Sequence, residues 1–63
     1  MKFELGKVVR FNSKVPNKEL VGCLGVISRL DPLNEYYPYM IRTIYPNAPG
    51  EHLTGGIKEE WVD

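Results

Sequence analysis

The chain has one cysteine, no net charge and no long apolar run, and each shortage removes a class of protein. Cys23 has no second thiol to pair with, which excludes an internal disulfide framework and points to a reducing compartment. His52 is the single imidazole, so the ligand set of a structural zinc site is missing and no metal or cofactor is expected. Eight Lys and Arg balance eight Asp and Glu, leaving no net field to draw the chain onto a polyanion. Nowhere do about 18 apolar residues follow one another, and MKFELGKVVRF lacks the apolar centre of a secretory signal. The reading is a soluble, cytoplasmic chain without a membrane partner.

Helical periodicity is missing too, because no stretch keeps a 3.6-residue apolar repeat for the length a stable helix needs. Length sets a further bound. With 63 residues the expectation is a single domain over 1–63. At about 60 residues only about 60% of the unfolded surface is buried, which leaves little interior for a deep catalytic cleft and disfavours an enzyme.

What is present is β-strand chemistry. In KVVRF, Val9 and Phe11 share one face and Val8 and Arg10 the other. NSKVPNKEL is loop composition and carries Lys14 and Lys18 into solvent. A second strand is expected over Val21–Leu30, with Gly22 and Gly25 marking a bend, a bulge or a close approach. DPLNE reads as a turn, since Pro32 fixes its φ and Asn34 tolerates tight corners. A third strand follows in YYPYMIRTIY, with Tyr37, Tyr39, Ile41, Thr43 and Tyr45 alternating with Pro38, Met40, Arg42 and Ile44. PNAPGEHLTGG, with two prolines and three glycines in eleven residues, is expected to be a long hairpin loop. A short fourth strand at Ile57, one helical turn over Lys58–Glu60 and a last strand with Trp61 and Val62 complete the chain.

These residues predict an all-β fold, a five-stranded, partly open barrel with a single 3₁₀ turn before the last strand. GKVVRF, then Gly22 and Gly25 in GCLGVI and the apolar positions up to Asp31, resemble the KOW pattern of SH3-like barrels. LGVISRLD through YPYMIR to GIKEEW is also similar to the small SH3-like subunit of photosystem I and related electron-transport accessory proteins. By that resemblance Val9, Phe11, Ile27, Leu30, Tyr39, Ile41, Ile57 and Trp61 form the core. The inserted NSKVPNKEL loop and the neutral balance depart from the photosystem subunit, and a basic stripe of the ribosomal KOW kind is lacking.

No catalytic residue is expected. Cys23 reads as a small strand residue, His52 as a loop residue, and the carboxylates sit at turns and termini. The functional expectation is a non-enzymatic protein-interaction module, a small accessory or inhibitory protein of bacterial or phage type. It would dock on a larger protein through Tyr36, Tyr37, Tyr45, Arg42 and His52, or self-associate through an edge strand. The competing expectation is KOW-like nucleic-acid binding, with Lys14, Lys18, Arg29 and Arg42 on phosphates and Tyr36 or Tyr37 stacked on a base.

Overall fold

The computed structural model describes residues 2–44 and 51–63, the side chain of Glu51 excepted. Among the described residues, four strands form one antiparallel sheet in chain order: β1 (Val8–Arg10), β2 (Leu24–Leu30), β3 (Tyr39–Ile44) and β4 (Glu51–Ile57). β1 opens after Gly6, whose φ of 83° turns the chain into the sheet. The Gly6 amide then donates to the Ile27 carbonyl at 2.8 Å, and the Ile27 amide to Lys7 at 2.9 Å. The alternation Val8 out, Val9 in, Arg10 out follows from the two-residue period of a strand with one buried face.

Two bulges bend the sheet at one level. On β2, Ser28 and Arg29 oppose Met40 where the β2–β3 register shifts between Ile27 and Arg29. On β4 the register steps from Ile41↔Thr54 to Tyr39↔Ile57, leaving Gly55 and Gly56 opposite Met40. Gly56 has φ 70°, which a side chain rarely tolerates, so a bulge here selects glycine. Bulges increase local twist and bend the strand that carries them.

After β4 the chain makes a 3₁₀ turn over Glu59–Trp61, and Val62 bridges to Phe11. The Arg10 and Asp63 backbones exchange hydrogen bonds of 3.1 and 2.9 Å, and the Asn12 amide donates to the Trp61 carbonyl at 2.8 Å. The C-terminal residues therefore lie along β1, the strand at the opposite end of the sheet order from β4.

Val9, Phe11, Ile27, Tyr39, Ile41 and Ile57 are buried as expected, and Leu30 packs against them half-buried. Trp61 is a correction: it is half-buried against the core, while its neighbour Val62 is 1% exposed. The turn runs one residue further than expected, which exchanges the two side chains. A second correction concerns NSKVPNKEL. This segment sends Val15 and Leu20 into the core, and Lys18–Leu20 forms a second 3₁₀ turn capped by Asn17.

Of the expected loop over 46–56, residues 46–50 lie outside the described residues, and 51–56 belong to β4, where Gly55 and Gly56 are absorbed by the bulge. β2 begins at Leu24 rather than Val21, since Gly22, with φ 83°, still belongs to the turn. β3 begins at Tyr39, after Pro38, which has no amide to donate to a ladder.

Candidate functional site

The turn between β2 and β3 places the tyrosines. The Asp31 amide donates to the Pro38 carbonyl at 2.8 Å, closing the turn at its base. Inside it, Asn34 Oδ1 accepts from the Tyr36 amide at 3.2 Å and the Tyr37 amide at 2.9 Å. A side-chain acceptor for two successive amides fixes the backbone locally, as Asn does in turns. Tyr36 then stands 69% exposed and Tyr37 41% exposed, while Tyr39 is buried in the core.

Tyr37 leans on Trp61, with ring centroids 5.9 Å apart and planes inclined by 54°. Lys58, just before the 3₁₀ turn, places its ammonium 5.6 Å from the Tyr37 ring and 6.0 Å from the Trp61 ring. The result is an aromatic ledge carrying a cation. On one side lies a cleft of about 520 Å³ bounded by residues of the 31–38 turn, Met40 and Gly56. On the other is a shallower depression of about 420 Å³ lined by Lys2, Glu35, Tyr36, Lys58, Glu59 and Glu60.

Beneath the ledge a hydrogen-bonded chain holds the N-terminal segment. The Phe3 amide donates to the Tyr39 hydroxyl at 3.1 Å, that hydroxyl donates to Glu59 Oε2 at 2.7 Å, and the Lys2 amide donates to the same oxygen at 2.9 Å. The Lys2 amide and then the Tyr39 hydroxyl hold the Glu59 carboxyl below its ordinary value. Burial, reinforced by the bond to Glu59, pushes the Tyr39 phenol up.

The other residues expected at the site lie elsewhere. Tyr45 falls outside the described residues. Arg42 lies on the outer face of β3, and His52 sits on β4 opposite Thr43. Thr43 is six residues along from Tyr37, roughly 20 Å at about 3.3 Å per residue, so the expected docking set divides between two ends of the sheet. Of the candidate phosphate contacts, Lys18 is exposed, but its ammonium is engaged within its own loop, donating to the Ser13 and Val15 carbonyls at 2.9 and 3.2 Å. Lys14 is exposed in the same loop, and Arg29 lies at the β2 bulge opposite Met40.

Two members of the ledge, Lys58 and Trp61, escaped the sequence reading as site residues. Their spacing of three in KEEW is the one local signal, since a 3₁₀ turn brings positions three apart onto one side. The outer sheet face carries Val8, Leu24, Ile44 and Leu53 exposed, of which Val8 and Ile44 stand on second faces that alternation sets apart. Cys23 is buried, with its thiol directed at the Glu19 carbonyl at 3.5 Å. Among the described residues no group of His, Cys, Asp and Glu could hold a metal ion, and no helix is long and apolar enough to cross a membrane.

No family model, curated protein or solved structure matches this chain.

Proposed function

We propose that the chain is a non-enzymatic protein-interaction module that docks on a larger protein through the ledge of Tyr37 and Trp61 together with Tyr36 in the adjoining depression. The observation that carries this reading is the exposure of Tyr36 and Tyr37 together on a turn held in place by Asn34. Exposed Tyr and Trp on rigid backbone supply contact area at low entropic cost, which is the composition of interface hot spots. The finer fold reading is an SH3-like, partly open barrel. It is supported by the bulges in β2 and β4 and by the contacts of the C-terminal residues with the first strand and the residues after it, Asp63 with Arg10 and Val62 with Phe11.

The competing reading is KOW-like nucleic-acid binding through Lys14, Arg29 and Arg42. Balanced charge and the tie of the Lys18 ammonium to carbonyls of its own loop weigh against it.

Immobilised protein incubated with cell lysate, with and without nuclease and in rising salt, separates the two. The interaction reading expects a protein partner retained after nuclease treatment. Calorimetry with that partner should show at least tenfold weaker binding for the Tyr36→Ser/Tyr37→Ser variant, equivalent to about 1.4 kcal/mol. Loss of capture on nuclease treatment supports the nucleic-acid reading. Normal binding by the double variant removes the ledge from the interface.

A further inference from the structure

We infer that the ledge receives a cationic side chain of its partner, and that Lys58 holds this place in the free chain. The inference rests on the docking reading above and names the chemistry of what docks: a basic, arginine-bearing segment of a protein.

The first support is the occupant already there. One ammonium stands within about 6 Å of two ring centroids, which is the distance at which an aromatic face attracts a cation. The Tyr37–Trp61 pair is therefore a built cation platform. Its resident is loosely held. Among the described residues Lys58 pairs with Glu60 at 3.9 Å, with the two side chains 34% and 62% exposed. Exposed pairs of that geometry contribute little.

The second support is the charge of the rim. The adjoining depression brings together Glu35, Glu59 and Glu60 with Lys2 and Lys58. Both cations there are turned onto rings, since the Lys2 ammonium stands 5.3 Å from the centroid of Phe3. One oxygen of Glu59 is already taken by the Lys2 amide and Tyr39. Glu35 and Glu60, both exposed, remain to meet a cation that arrives over the ledge. An anionic ligand, whether an oligonucleotide or an acidic peptide, would meet carboxylates instead.

Arginine fits better than lysine. Its planar guanidinium is more weakly hydrated, stacks on aromatic faces and forms paired hydrogen bonds with a carboxylate. A partner arginine would therefore displace the Lys58 ammonium from the rings while gaining Glu60 or Glu35.

This competition gives the test a distinctive sign. The chain has one tryptophan, so its fluorescence reports directly on the ledge. The probe is a capped peptide of alternating glycine and arginine, compared with its glycine–glutamate counterpart and a single-stranded oligonucleotide. We expect a saturable change in Trp61 emission with the arginine peptide alone, weakening as salt rises. Lys58→Gln, which removes the resident competitor, should tighten binding about two- to fivefold, in line with one exposed cation–π contact. Glu35→Gln/Glu60→Gln should weaken it by about fivefold or more. Circular dichroism checks that both variants, altered only outside the core, remain folded.

No saturation at millimolar arginine peptide, an equal response to either anionic probe, or weaker binding in Lys58→Gln overturns the inference. If the peptide fails while the captured partner still depends on Tyr36 and Tyr37, the partner is not basic and the docking reading stands.

Discussion

The Tyr39 hydroxyl donates to Glu59 Oε2 at 2.7 Å while accepting from the buried Phe3 amide at 3.1 Å. One phenol thus ties the N-terminal segment, the β3 core strand and the last 3₁₀ turn together. Tyr39→Phe keeps the ring and its edge-on contact with Phe3, whose centroid is 5.7 Å away, but leaves the Phe3 amide without an acceptor. The expected cost is about 1–3 kcal/mol, measured by urea unfolding. Adding Glu59→Gln should cost less in the Tyr39→Phe background than alone, because the two groups share one bond.

The same pair shapes the pH dependence. Folding lowers the Glu59 pKa, so its contribution is present above its ordinary value of about 4.3 and is lost as pH falls through the folded value. Folding raises the Tyr39 pKa, so that contribution is present below about 10 and is lost as pH rises through the folded value. Melting curves across pH should show a shallower acid limb in Glu59→Gln and a shallower alkaline limb in Tyr39→Phe. Limbs identical to wild type would show that this pair does not govern them.

Gly25 is required by a neighbour. A Cβ there would overlap Ile41 Cγ2 and stand 3.1 Å from the Arg42 carbonyl oxygen. Gly25→Val should unfold the domain, and Gly25→Ala should lower its melting temperature. Ile41→Leu, which removes Cγ2, should recover part of the Gly25→Ala loss, a coupling that calorimetric melts of the double variant would read. Simple additivity would place the cost in the backbone instead.

Leu20 is 3% exposed, whereas Trp61 is only partly buried against the core. Leu20→Ala should therefore cost about 2–5 kcal/mol, although it lies in a segment of loop composition. Trp61→Ala should fall below the roughly 3–5 kcal/mol of a fully buried aromatic. Denaturant titrations followed by circular dichroism give the order; the reverse would return Trp61 to the core.

Thr43 is fully buried, and its hydroxyl has no hydrogen-bond partner among the described residues. Valine has nearly the same shape and no group to leave unsatisfied. Thr43→Val should raise stability by about 1 kcal/mol or more in urea, because an unpaired buried hydroxyl carries its full desolvation penalty. A loss on substitution would mean that the hydroxyl is partnered in solution.

Local pattern alone determined much of the β architecture. Two-residue alternation separated the two faces of β1 and β3 without saying which is buried, DPLNE located the β2–β3 turn, and no helical periodicity was found, in line with strands and short 3₁₀ turns among the described residues. Gly25 was also legible as a special position, though not as a contact with Ile41. These features depend on residues a few positions apart, where sterics and hydrophobic period act directly. Only the tertiary structure decided the rest. Whether Gly55 and Gly56 form a loop or a bulge depends on the register of β4 against β3. Whether Val15 and Leu20 are buried depends on the folded shape of the 12–20 segment, and whether Trp61 or Val62 turns inward depends on the bridge to Phe11. The ledge needs a turn before β3 and a turn after β4 to meet, bringing Tyr37 to Lys58 and Trp61 across more than twenty residues. Such meetings are set by cross-strand pairing and burial over long separations, and no local pattern encodes them.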